Sequence, residues 1–191
     1  MKNSGLAIFA SGTGSNANKI IEYFRIEGAQ ISCIVSNKSD AGVLDLARKH
    51  GIPQIVLERK KFYSHDDLLA ELKDYKVKYI ALAGFLWLIP GYLLKSFKNR
   101  IVNIHPALLP KYGGKGMYGE NVHKAIKESG DLTSGMTIHL VNEAYDEGKI
   151  IFQASCQLSP DDTPKEIARK VLSLEHKFYP VVLSSFMEFQ S

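Results

Sequence analysis

Along the chain, short blocks of nearly unbroken hydrophobicity alternate with stretches in which apolar residues recur every three or four positions. The blocks at 5–10, 31–36, 54–57, 79–84 and 101–104 predict strands buried on both faces. Between them, 16–24, 41–49, 64–74 and 91–97 carry helical periodicity. Gly51 closes the second of these, and Ser64 with Asp67 gives the third a start resembling a capping box. After residue 130 the pattern changes to two longer extended runs, 133–142 and 149–158, joined by the tight segment 143–148, which predicts a hairpin. Thr163-Pro164-Lys165-Glu166 then opens a long helix, with a cap, a proline in the first turn and a reciprocal glutamate. The whole reads as α/β: a doubly wound, mostly parallel sheet with helices on both faces and a C-terminal hairpin added to the sheet.

With 191 residues, 45% of them hydrophobic, the chain can bury one sizeable core, and a single domain over 1–191 is expected. Its 24 basic and 20 acidic side chains are dispersed, a balance too mild to argue for nucleic acid and equally suited to a small anionic substrate. Cys33 and Cys156 lie apart without metal-ligand spacing, so neither zinc nor a disulfide framework is indicated; free thiols fit a reducing cytoplasm. A first strand at about Gly5 leaves no room for a secretory leader. The uncharged run 79–94 is shorter than the roughly 20 residues a membrane helix needs.

Two polar side chains interrupt the fifth apolar block. Asn103 and His105 are two apart and therefore share a face of an extended strand, which Pro106 ends. An amide that donates a fixed hydrogen bond beside an imidazole that moves a proton near neutral pH suits a reaction developing an oxyanion, although a satisfied core pair has the same pattern. The first strand runs through Ser11-Gly12-Thr13-Gly14-Ser15-Asn16 into a helix. That turn is either plain or a monophosphate site, since it lacks the third glycine and acidic residue of a dinucleotide fingerprint and has no Walker lysine. Asp146 suits a turn, and would favour imidazolium if it met His105. Glu175 falls inside the apolar stripe Ile167, Val171, Leu174, Phe178, Val182 and Phe186, which leaves an ion pair, a helix edge or a ligand contact open. For His123 and His139 a structural role is expected. The apolar segment around Trp87 reads as core or as pocket wall at a strand's carboxyl end.

Together these pieces resemble the folate-dependent phosphoribosylglycinamide formyltransferase family nearly end to end. The likeness rests on Ser11-Gly12-x-Gly14-Ser15-Asn16, Val35-Ser36-Asn37-Lys38, Leu82-Ala83-Gly84-Phe85, Asn103-Ile104-His105-Pro106-x-Leu108-Leu109-Pro110, Asp146-x-Gly148 and Glu175-His176. The resemblance implies formyl transfer from 10-formyltetrahydrofolate, a cosubstrate, to the amine of 5-phosphoribosylglycinamide in purine synthesis, without metal and without a nucleic-acid or membrane partner; oligomeric state is left open. It implies that Asn103 binds the oxyanion, that His105 is the acid and that Asp146 holds His105 charged. Gly14, Ser15 and Asn16 would hold the phosphate and Glu175 the ribose hydroxyls. Leu86, Trp87, Leu88 and Ile89, with Asn142, Glu143, Ala144, Tyr145 and Asp146, would wall the pterin site through backbone groups. The chain departs from relatives at Trp87, where many have arginine, at Glu147 for glycine, at Leu172 for lysine, and in a longer segment 113–121. Methionyl-tRNA formyltransferases and formyltetrahydrofolate hydrolases are the neighbouring alternatives, each expected to need a further domain. A non-catalytic nucleotide-binding module is a third, and it leaves Asn103 and His105 unexplained.

Overall fold

A computed structural model describes residues 2–190. In chain order the elements are β1 (Lys2–Asn3), β2 (Leu6–Phe9), α1 (Ser15–Ile26), β3 (Ala29–Gln30), β4 (Cys33–Ser36), α2 (Gly42–His50), β5 (Gln54–Val56), α3 (Arg59–Ser64), α4 (Asp67–Asp74), β6 (Tyr79–Leu82), α5 (Gly91–Ser96), β7 (Ile101–His105), α6 (Glu120–Ser129), β8 (Thr133–Leu140), β9 (Ile150–Gln157) and α7 (Pro164–Phe189). Seven strands form one sheet in the order β5-β4-β2-β6-β7-β8-β9, while β1 and β3 make a separate two-stranded ribbon that the hydrophobic pattern does not announce. Strands β5, β4, β2, β6 and β7 run parallel, and β8 and β9 are antiparallel additions.

Strand alternation divides the core into two layers. Leu6 and Ile8 of β2 join Ala81, Val102 and Ile104 beneath α1, α2, α6 and α7, whereas Ala7 and Phe9 join Ile80, Leu82 and Ile101 beneath α3, α4 and α5. Burying each such aliphatic or aromatic side chain stabilises the fold by roughly 1.5–3 kcal/mol, and strands apolar on both faces fit only where helices cover both. The chain moves outward from β2 through β4 to β5, then returns to lay β6 on the other side of β2. This reversal opens a crevice beyond the carboxyl ends of β2 and β6, the place where sheets of this kind bind ligands.

The helix expected over 64–74 begins three residues later, as α4, and a separate helix, α3, precedes it. Ser64 is the last residue of α3, and α4 begins after Asp66 with no side-chain cap. Phe62 explains the break: it is buried, with its ring 6.0 Å from Phe85 and 5.5 Å from Trp87. Winding 59–64 into its own turn turns that ring inward, and extended His65 then redirects the chain. In α7 the cap is as expected, with Thr163 accepting from the Glu166 amide and Glu166 reaching back to the Thr163 amide. The buried face of α7, however, is Ile167, Val171, Glu175, Tyr179, Leu183 and Met187, flanked by the half-buried Leu174, Phe178, Val182 and Phe186. Glu175 is therefore at the centre of the packed face.

Candidate active site

Strand β7 carries Asn103 and His105 to the mouth of the crevice on one face. Because β8 runs antiparallel beside it, His139 stands directly opposite Asn103, and Thr137 opposite His105. Buried Thr137 donates to the Ala107 carbonyl and accepts from the Leu109 amide, tying the segment after β7 to the sheet. The β8–β9 turn then folds back tightly, since a Cβ at Gly148 would lie 1.6 Å from the Leu140 carbonyl oxygen. It delivers Asp146, held at φ 59°, onto the polar residues of β7 and β8.

Asp146 joins the group. Its Oδ1 lies 3.4 Å from Asn103 Nδ2 and 3.5 Å from His139 Nε2, and its Oδ2 lies 3.4 Å from His105 Nδ1 and accepts from the Gly114 amide at 3.0 Å. His139 Nδ1 is 2.8 Å from the Leu140 carbonyl, an acceptor only, so the proton sits on Nδ1 and Nε2 accepts from Asn103 Nδ2 at 3.1 Å. That bond fixes the orientation of the Asn103 amide. His105 Nε2 donates to the Tyr112 carbonyl at 2.8 Å. Burial holds the His105 pKa below the ordinary histidine range, with Asp146 and the Tyr112 carbonyl acting upward and His139 downward. Burial also pushes the Asp146 carboxyl upward, but the neighbouring His139, the charge of His105 and the Gly114 amide together hold it below its ordinary value. Asp146 thus acts on His105 in the expected direction and is outweighed by burial.

These groups line one cleft of about 720 Å³, within the roughly 300–1,000 Å³ typical of small-molecule sites. Leu86, Trp87, Leu88 and Ile89 form one wall, and Ala144 and Tyr145 another. Asn142 and Glu143 are not among the lining residues; the Asn142 side chain accepts from the Ala144 amide and shapes the turn from outside. The wall is fixed to its surroundings by the Leu86 amide, which donates to Ser11 Oγ at 3.0 Å, and by Tyr63, whose hydroxyl donates to the Leu88 carbonyl at 3.2 Å.

At the other end Asn16 and Glu175 line the cleft, with Asn16 Nδ2 donating to Glu175 Oε2 at 2.6 Å. Among the described residues Glu175 forms no ion pair, and burial pushes its carboxyl up to about 7 against the opposing Asn16 hydrogen bond. Asn16 Oδ1 is buried without a hydrogen-bond partner among the described residues. Gly14 and Ser15 lie just outside the lining. Gly14 is the left-handed cap of α1, where a Cβ would stand 2.9 Å from Val43, and the turn leaves the first amides of α1 facing outward.

Two histidines for which a structural role is expected stand at the cleft. His139 and His123 both line the cleft; His123 is buried with Nδ1 unpartnered, and burial lowers its pKa. Thr137-x-His139 repeats the polar-x-polar pattern of Asn103-x-His105 inside another apolar strand, a signal that could have placed His139. The segment from Gly114 to Glu120 also lines the cleft and contributes Lys115, the only lysine or arginine among the lining residues. Among the described residues no group of three or more histidines, cysteines or carboxylates is arranged to hold a metal, and no helix is long and apolar enough to cross a membrane.

The family model described as "Formyl transferase" matches residues 5–183. The chloroplastic phosphoribosylglycinamide formyltransferase of Arabidopsis thaliana is 46% identical over 96% of this chain, which spans 65% of that protein, less than two thirds of its length. Phosphoribosylglycinamide formyltransferase of Haemophilus influenzae is 37% identical, with 96% of this chain and 87% of that protein covered. The crystal structure of phosphoribosylglycinamide formyltransferase from Brucella melitensis superposes with a TM-score of 0.85 at 37% identity, covering 95% of this chain and 94% of that one.

Proposed function

The chain belongs to the formyl transferase family, among the phosphoribosylglycinamide formyltransferases, and we propose that it transfers the formyl group of 10-formyltetrahydrofolate to the amine of 5-phosphoribosylglycinamide. The observation that carries this reading is the convergence of Asn103, His105 and Asp146 on one point of the cleft. Residues 1–191 act as one formyltransferase domain, in the cytoplasm, where Cys33 and Cys156 stay free.

The cosubstrate supplies the formyl carbon: a bond forms from the ribonucleotide amine to that carbon, and the bond from the folate nitrogen to it breaks. Asn103 donates to the carbonyl oxygen as it gains charge. One of its N–H groups is held by His139, and the other, 3.4 Å from Asp146, is the one released to the oxyanion. With Nε2–H held by the Tyr112 carbonyl, His105 gives its Nδ1 proton to the departing nitrogen and recovers one there from the attacking amine, so the balance is kept. Asp146 favours the imidazolium from which that proton comes.

The walls suit the two ligands. Leu86 to Ile89 and Ala144 to Asp146 present main-chain groups and apolar side chains to a flat heterocycle. Glu175 has a carboxylate oxygen for ribose hydroxyls, and Asn16 Oδ1 lacks a protein partner. The amides of Gly14, Ser15 and Asn16, at the positive end of α1, take the phosphate.

Turnover with both substrates tests the reading. Asn103→Ala loses a single oxyanion donor, which lowers turnover by roughly 10²–10³ while both substrates still bind. Near-normal turnover in that variant would remove Asn103 from the chemistry.

A further inference from the structure

His105 is gripped from outside the strand that carries it. Its Nε2 donates to the carbonyl of Tyr112, seven residues further on, in a segment outside any helix or strand. Tyr112 has φ 57°, a left-handed backbone that bulky residues rarely adopt. Nothing about a surface turn demands an aromatic residue there, since glycine or asparagine would fit the same backbone without strain.

The far end of the side chain shows what holds it. The Tyr112 hydroxyl is 2.8 Å from Asp131 Oδ2 and 2.5 Å from Ser129 Oγ, at the end of α6. Ser129 Oγ passes its own hydrogen to the Ile126 carbonyl, and Lys111 Nζ pairs with Asp131 at 2.9 Å. Pinned at the phenol and at His105, the residue has its carbonyl aimed inward. Two residues later the Gly114 amide donates to Asp146 Oδ2, the oxygen that faces His105 Nδ1. One short segment therefore touches both members of the His105–Asp146 pair, giving an acceptor to the histidine and a donor to the carboxylate.

We propose that Tyr112 is a positioning residue for the reaction, its anchored phenol and left-handed backbone holding the carbonyl that fixes the His105 ring and keeps a proton on Nε2. This rests on the reading of His105 as the group that moves a proton. With Nε2–H committed to Tyr112, His105 Nδ1 faces a carboxylate, an arrangement satisfied fully only when Nδ1 is also protonated. The other groups facing the ring are His139 from β8 and His123 from α6, both of which disfavour added positive charge, so the two acceptors are what sustain the imidazolium in a buried site. Slackening the phenol anchor lets the carbonyl drift and removes one of them.

The test uses Tyr112→Phe, which keeps the ring and the carbonyl and deletes the anchor, with Asp131→Ala and Asp131→Asn beside it. The Asp131 side chain is 30% exposed, so its variants carry the test even where Tyr112→Phe folds poorly. The expected result is a downward shift of the His105 titration, followed by NMR, in Tyr112→Phe and Asp131→Ala. Turnover falls about tenfold, a part of the roughly 10²–10⁴ that acid–base catalysis supplies, with both KM values nearly unchanged. Asp131→Asn, which retains an acceptor for the phenol, restores both. Lower thermal stability with an unmoved His105 titration and parental turnover would make Tyr112 a packing residue and overturn the proposal. The titration needs no turnover, so it still decides the matter if the parent protein proves inactive with these substrates.

Discussion

Replacing Glu175 by glutamine separates burial from ligand recognition in one experiment. The side chain is 6% exposed, at the centre of the packed face of α7, and its hydrogen-bond partner is the neutral amide of Asn16. Burial raises its pKa from 4.5 to about 7. At about 1.4 kcal/mol per pKa unit, ionising it in the folded protein costs about 3 kcal/mol above pH 7. The sign follows from proton counts. Between 4.5 and about 7 the folded state holds a proton that the unfolded state has lost, so this contribution to stability is complete below 4.5 and gone above about 7. Glutamine does not titrate. The stability of Glu175→Gln relative to the parent should therefore improve by about 2–3 kcal/mol from pH 5 to pH 8, measured by urea unfolding at both.

Binding moves the other way. A carboxylate accepts from ribose hydroxyls more strongly than an amide does, by on the order of 1 kcal/mol, so affinity for 5-phosphoribosylglycinamide should fall several-fold. Stabilising the carboxylate by two donors also predicts that the parent releases protons on binding at pH 7. Calorimetry in buffers of different ionisation enthalpy reads that release, and it should vanish in the variant. A stability difference that does not change with pH would refute the ionisation argument, and unchanged affinity would place the ribose elsewhere.

Two further outcomes follow from the same geometry. Asp146→Asn removes the opposite charge beside His105, so the imidazole pKa, already depressed by burial, should fall further, with turnover falling more steeply as pH rises; an unmoved titration would end the role given to Asp146. Trp87→Arg should raise the folate KM by less than about tenfold, or about 1.4 kcal/mol, because the wall from Leu86 to Ile89 is offered to the pterin as main chain; a larger rise would mean that the indole itself takes part.

Much of this architecture is legible in the chain because burial on both faces leaves little choice of residue. Residues 5–10 and 79–84 are apolar throughout and 101–104 are apolar but for Asn103, and the strands lie within or next to those limits. Asn103 and His105 are conspicuous as exceptions to that rule. What the pattern misses depends on contacts remote in sequence. The break between α3 and α4 follows from the need to bury Phe62 against Phe85 and Trp87, which lie beyond the next strand. The Glu175 face is offset from the expected stripe because α7 packs its Ile167–Val171–Tyr179 side inward, a matter of which neighbour it meets and not of its own period. His139 and Tyr112 read as ordinary because their partners lie 36 and 7 residues away, respectively.

The change of strand direction at β8 is what turns a binding crevice into a reactive site. A crevice at the reversal between β2 and β6 needs only parallel strands, and it brings Asn16 and the wall from Leu86 to Ile89 together. Parallel strands must then be joined by long crossovers that carry the chain back to the opposite end of the sheet before the next strand begins. The antiparallel strand β8 runs the other way, and the Val102–Leu140 register ends it beside the start of β7, away from that strand's carboxyl terminus. Asp146 nevertheless reaches Asn103 and His105 because the β8–β9 turn curls back over the sheet, with Gly148 against Leu140 and Asp146 in a left-handed conformation. Glu147 leaves that curl intact, since the close approach is made at Gly148. The polar side chains gathered there thus come from β7, from its antiparallel neighbour and from the turn beyond. The tightness of that turn, more than the identity of any one strand residue, sets whether the carboxylate arrives.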